Sequence, residues 1–109
     1  MVADEIEDVL LTHPMIADAA VVGVHIGGRQ SEDEYPRAYV VSIDNNPSGT
    51  DERKLIKFVA NKLASFKTLR GGVVFVERIP RNSSGKILRQ SLVERATIEV
   101  VANSKDAEV

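Results

Sequence analysis

The 109-residue sequence contains no cysteine. That absence excludes a disulfide framework, a thiolate metal site and a cysteine nucleophile. Histidine is nearly as scarce, with only His13 and His25, so a histidine-rich metal site is not expected. No apolar run approaches the roughly 20 residues of a membrane-spanning helix, and no membrane span is expected. The first residues, Met1-Val-Ala-Asp-Glu-Ile-Glu-Asp8, are acidic, unlike a secretory signal or a transit peptide. Positive charge is not in excess either. The net charge is −2 and the pI about 5.7, so no general affinity for nucleic acid is expected.

What is present suits one soluble domain. Apolar residues make up 43% and charged residues 28%, the proportions of an ordinary globular chain. The overall charge hides an asymmetry. Residues 67–95 carry Lys67, Arg70, Arg78, Arg81, Lys86, Arg89 and Arg95 against Glu77 and Glu94. The rest of the chain is strongly acidic. A charge run is ordinarily a solvated face, but this one surrounds a Gly-Lys loop.

Periodicity predicts the element order α-β-β-α-β-α. Ile6, Val9, Leu10 and His13 recur at helical spacing. Asp4 and Glu7 fit a capping box, and Pro14 stops the helix. Residues 18–26 are β-branched and read as a strand; 27–35 read as a polar loop. Residues 38–43 form a second strand, apolar enough to be buried on both faces. A turn over 44–49 follows. Thr50 caps a second helix whose apolar stripe is Leu55, Ile56, Val59, Leu63 and Phe66. Gly71-Gly72 breaks the chain, 73–76 is a third strand, and 79–85 is a flexible loop. Leu88, Leu92 and Ala96 open a last helix expected to fray after about Val101. The domain is thus expected over 1–102, with 103–109 a flexible tail. The fold class is α+β, a small sheet of about three strands flanked by helices.

The chemistry-bearing segment is Pro80-Arg-Asn-Ser-Ser-Gly-Lys-Ile-Leu-Arg89. It is not a Walker A loop, because Pro80 stands where the first glycine belongs and Ile87 replaces the magnesium-binding hydroxyl. What remains is a lysine on a serine-glycine loop at the mouth of a basic segment. Such a lysine is ordinarily a solvated surface residue. It can also carry an ammonium into a site belonging to another domain. Elsewhere the bland readings prevail. His13 suits a helix end as a cation, His25 is a strand-end residue, and Gly71-Gly72 is a turn. Asn82-Ser83-Ser84 fits the glycosylation pattern, but nothing suggests secretion.

The segment 80–89 closely resembles the last signature motif of the adenylate-forming acyl-CoA synthetases, a superfamily that includes luciferases and nonribosomal peptide adenylation domains. Other pieces resemble the family in the right order. They are Asp4-Glu-Ile-Glu-Asp-Val-Leu-Leu-Thr-His-Pro14, Asp18-Ala-Ala-Val-Val-Gly-Val24, Pro36-Arg-Ala-Tyr-Val-Val41 and the run from Phe66 to Pro80. The nearest resemblance is to 4-coumarate–CoA ligase-like enzymes, on Leu69-Arg-Gly-Gly72 and Pro36-Arg-Ala-Tyr39. Two departures stand out. The hinge that precedes this domain in the family is not in the sequence. The 25–35 loop is longer than usual, with His25-Ile26 in place of Pro-Asp.

The resemblance implies the C-terminal lid of an acid–CoA ligase. Such an enzyme joins a carboxylic acid to the α-phosphate of ATP, then passes the acyl group to CoA as second substrate. Lys86 is then the catalytic lysine of adenylation, with Ser84 and Gly85 supporting its loop, Gly85 by close backbone approach. Gly71 and Gly72 would lie near the CoA path. ATP and Mg2+ would be held mainly by an N-terminal domain, the lid's principal partner, and no metal site is expected on this chain. The phosphate loop and acyl pocket are not in this sequence, so the chain alone is expected to be inactive. A cytoplasmic location is expected. The final Ala-Glu-Val is not a peroxisomal signal, though a longer native C-terminus would leave that location open. Alternatives are a luciferase-like or peptide-synthetase adenylation lid, or a freestanding α+β binding module.

Overall fold

Ile6 and Leu10 lie one helical turn apart and are wholly buried, which is why Ala3–Leu11 forms helix α1. The helix closes by tightening. Thr12 and His13 donate their backbone N–H groups to Val9 and Leu10 at 3.1 and 3.0 Å, and Pro14 follows. The expected capping box does not form. Asp4 lies inside the first turn, and Glu7 turns inward, its carboxylate accepting from the Val21 N–H at 2.6 Å. His13 Nδ1 accepts the Met15 N–H at 3.2 Å, and its ring packs edge-on against Phe58 at 4.9 Å.

The computed structural model describes residues 3–25, 34–43, 49–63, 69 and 71–108. Within them, β1 is Ile16–His25, β2 is Glu34–Ser42 and β3 is Val73–Phe75. The three make one sheet in the order β1-β2-β3. β1 and β2 are antiparallel, β2 and β3 parallel. Both long strands begin earlier than expected, and residues 34–35 belong to β2 rather than to a loop. Each strand lends the other its ladder: His25 pairs with Glu34 and Ile16 with Ser42. Cross-strand hydrogen bonds carry polar residues that a hydropathy pattern leaves out.

Helix α2, Gly49–Lys62, joins α1 on one face of the sheet. There Ile6, Leu10, Ile16, Ala19, Val21, Ala38, Val40, Leu55 and Val59 form one core cluster. Helix α3, Arg89–Glu108, covers the other face, where Ala20, Val22, Val24, Tyr39, Ile79, Leu92 and Ala96 form a second cluster. The expected burial of the second strand on both faces is therefore found. The α+β class with three strands is likewise found. Helix α3 continues to Glu108, past the expected end near Val101, because no glycine or proline follows Lys86.

One irregularity lies near the start of β1. Between Ile16 and Asp18 the β1–β2 register shifts, so Ala17 is an extra residue in β1. A bulge of this kind reverses the alternation of faces. Ile16 packs with Ala19 and Val21 on the α1–α2 face, and Asp18 falls with Ala20 and Val22 on the α3 face. Several expected features lie outside the described residues: Phe66, Lys67, Arg70, the side chains of His25 and Thr50, the turn over 44–48 and residues 26–33 of the long loop.

Candidate functional site

The segment 79–88 is an ordered hairpin turn, not a flexible loop. Arg81 and Ile87 form an isolated antiparallel bridge. Asn82 donates its N–H to the Lys86 carbonyl at 2.9 Å, and Gly85 donates to the Asn82 carbonyl at 2.9 Å. Leu88 donates to the Pro80 carbonyl at 2.9 Å. Inside the turn, Asn82 Oδ1 accepts from the backbone N–H groups of Ser84 and Lys86 and from Ser84 Oγ, each at 3.0 Å. Asparagine side chains build turns of this kind by imitating a carbonyl. The roots of the turn are apolar, since Ile79 is buried and Ile87 packs against the α3-side cluster. Its tip, residues 81–86, is exposed.

Lys86 stands on that tip. Its backbone is held on both sides by Asn82, and its ammonium makes no hydrogen bond or ion pair among the described residues. Gly85, immediately before it, has φ +85°. A Cβ there would meet nothing within 4 Å. Within this domain glycine is thus required by the left-handed backbone and not by close approach.

Two arginines tie the turn to the sheet. Arg81 Nη1 donates to the Gly85 carbonyl at 2.7 Å, and Nη2 donates to both Asp18 carboxylate oxygens at 2.8 and 3.0 Å. Asp18 Oδ1 also accepts the Ala19 N–H at 2.9 Å. Arg89, at the start of α3, donates to Glu7 at 2.7 and 3.1 Å and to the Val21 carbonyl at 2.9 Å. The hydrogen bonds from Arg89 to Glu7 raise the guanidinium pKa, outweighing partial burial. Both anchors land on β1 or on the helix packed against it.

Gly71 and Gly72 are brought to a different place. A Cβ on Gly71 would lie 2.7 Å from the Pro36 carbonyl oxygen, 2.8 Å from Arg37 Cβ and 2.9 Å from Val24. Close backbone packing explains that glycine. Gly72 has φ +95°, which explains the second. The Gly71 carbonyl accepts Arg37 Nη1 at 2.6 Å. Arg37 belongs to a buried network: its Nε donates to Tyr39 Oη at 3.2 Å, and Nη2 donates to Glu99 at 3.0 Å. Tyr39 Oη donates to Glu99 at 2.6 Å, and Arg95 donates to the other Glu99 oxygen at 3.0 Å. Burial alone would raise the Glu99 pKa, but the hydrogen bonds from Tyr39, Arg95 and Arg37 outweigh it and lower it.

Sequence reasoning found Lys86 and its serine-glycine neighbours but missed the residues that hold them. Glu7 carried a legible signal, since it sits three residues before Leu10 on the buried stripe. Arg81 and Asp18 carried none, because they are 63 residues apart in the chain. Among the described residues no group of three or more histidine, aspartate and glutamate side chains could hold a metal ion. No described helix is long and apolar enough to cross a membrane.

Both the sequence and the fold have relatives among known proteins. Residues 5–86 match the AMP-binding enzyme C-terminal domain, and the chain belongs to that family. It is 50% identical over 91 residues to a phenylacetyl-CoA ligase of Aspergillus niger, covering 84% of this chain and 16% of the relative. It is 43% identical over 88 residues to a probable 4-coumarate–CoA ligase of Dictyostelium discoideum, covering 81% and 15%. Among solved structures, a benzoate CoA ligase from Burkholderia xenovorans LB400 superposes with a TM-score of 0.73 at 38% identity, covering 83% of this chain and 18% of that one. The chain therefore spans about one-sixth of the length of the relatives it matches.

Proposed function

We propose that this chain acts as the C-terminal lid of an acid–CoA ligase and that Lys86 supplies the ammonium of the adenylation step. The observation that carries the reading is the Lys86 turn. It presents an unpaired ammonium on a tip whose backbone is fixed by hydrogen bonds and whose roots are anchored to the sheet. A side chain built only for solubility needs no such scaffold.

Adenylation brings an anionic carboxylate against a polyanionic triphosphate. The carboxylate oxygen bonds to the α-phosphorus, and the bond to pyrophosphate breaks. A positioned ammonium offsets the repulsion and orients both reacting groups. ATP and its accompanying Mg2+ are expected to be held mainly by the N-terminal domain, which also carries the acyl pocket. Asn82 and Ser84 shape the turn, and Gly85 permits its left-handed residue. In the second half-reaction the lid turns, the CoA thiol attacks the acyl carbonyl of the acyl-adenylate, and AMP leaves as the acyl–phosphate bond breaks. Gly71 and Gly72 are then candidates to lie along the CoA path.

The test uses the full-length enzyme. Lys86→Ala is expected to slow carboxylate-dependent pyrophosphate exchange by roughly two or more orders of magnitude, the scale on which removal of one preorganised charge donor acts. Thioester formation from supplied acyl-adenylate is expected to change little. Equal losses in both half-reactions, or unchanged pyrophosphate exchange, would overturn the assignment.

A further inference from the structure

Arg81 does two things at once. One arm of its guanidinium holds the Gly85 carbonyl, the peptide group directly before Lys86, at 2.7 Å. The other arm is fixed to the Asp18 carboxylate at 2.8 and 3.0 Å. Asp18 is in turn held by its own strand through the Ala19 N–H at 2.9 Å. An unbroken line of hydrogen bonds therefore runs from the β1 backbone to the peptide that carries Lys86.

The pair is poorly placed to stabilise the fold. The Arg81 and Asp18 side chains are 38% and 30% exposed, and ion pairs in such surroundings contribute little to stability. Asp18 lies on the α3 face in step with Ala20 and Val22, where Arg81 reaches it. The β1 bulge sets only the facing of Ile16, which it returns to the α1–α2 face.

We propose that Arg81 is a positioning residue for Lys86, held in place by Asp18. The inference rests on the adenylation reading of Lys86. Arg81 braces the turn from the side of the sheet, so the direction in which the ammonium projects is fixed relative to β1. Loss of the bridge leaves the lysine present and charged but frees its peptide to tilt.

The experiment is an epistasis series in the full-length enzyme, with pyrophosphate exchange and thioester formation from supplied acyl-adenylate assayed separately. Arg81→Gln and Asp18→Asn are each expected to lower the kcat of pyrophosphate exchange roughly tenfold to a hundredfold, the scale of a misplacement near 1 Å. The KM for ATP should stay within about twofold, and thioester formation and the melting temperature should hardly move. The double variant should be no slower than the slower single one. In a Lys86→Ala background, Arg81→Gln should have no further effect. A raised ATP KM, or a further loss in the Lys86→Ala background, would overturn the proposal and make Arg81 a direct phosphate contact. Full activity of Arg81→Gln while Lys86→Ala is slow would also overturn it, leaving the role of Lys86 intact. Full activity of Lys86→Ala would instead sink the adenylation reading itself.

Discussion

Glycines 71 and 85 show how one residue type answers two different demands. Gly71 has backbone and side-chain atoms within 2.7–2.9 Å of where a Cβ would stand. Gly71→Ala must therefore push apart Pro36, Arg37 and Val24, and it is expected to destabilise the domain by about 1–3 kcal/mol, measured by chemical denaturation. Gly85 has open space around it but φ +85°. Gly85→Ala is expected to strain the turn by about 1 kcal/mol and to slow adenylation more than it lowers the melting temperature. The same denaturation series, run beside pyrophosphate exchange, separates the two: Gly71→Ala should fail chiefly in stability and Gly85→Ala chiefly in adenylation rate. Comparable stability losses without a rate difference would show that the Lys86 turn has no special conformational requirement.

At the scale of elements, α3 is held to the sheet at two points. Arg89 grips Glu7 near its start, and Glu99 accepts from Arg37, Tyr39 and Arg95 further along. Glu7→Ala leaves the Val21 N–H without its acceptor and Arg89 with only the Val21 carbonyl and the exposed Asp4 carboxylate at 3.6 Å. It is expected to cost roughly 2–3 kcal/mol, below the range for a fully buried pair because Arg89 is 42% exposed. Glu99 gives a pH prediction. Its pKa is lowered by folding from an ordinary 4.5. Its contribution is therefore fully present above that value and is lost as pH falls through the lower native one. Acid unfolding of Glu99→Gln should begin from a lower starting stability and depend less steeply on pH below about 4.5 than the parent protein; an unchanged slope would contradict the role of the network. These long-range ties explain what the sequence could and could not disclose. The continuous apolar run in 38–43 and the stripe of α2 are local patterns, so the sheet and helices were legible. Glu7 looked like a cap because Asp4 stands three residues before it, whereas its real partners lie 14 and 82 residues away. The lysine turn was legible as a motif. Its hydrogen-bonded bracing was not, because it comes from Asn82 acting as a carbonyl and from Arg81 meeting Asp18, 63 residues away.

At the scale of the whole molecule, the domain is a scaffold that carries the exposed Lys86 turn. Two helices on one face and one on the other stiffen the three-stranded sheet, and the turn grows from the α3 side. The domain offers the ammonium but, among its described residues, no phosphate-binding loop. The chain by itself is expected to bind ATP more weakly than the micromolar range and to show negligible ligase activity; low-micromolar affinity by calorimetry would favour a freestanding nucleotide-binding module instead. The central claim is that Lys86 reaches the phosphates of ATP during adenylation. Affinity labelling of the full-length enzyme tests it most directly, using an adenine nucleotide whose phosphate chain ends in pyridoxal. The aldehyde condenses with a nearby amine, and borohydride fixes the imine as a secondary amine for peptide mapping. The account predicts that Lys86 carries the label and that excess ATP protects it. Labelling confined to other lysines, with Lys86 unmodified while ATP still protects the enzyme, would contradict it.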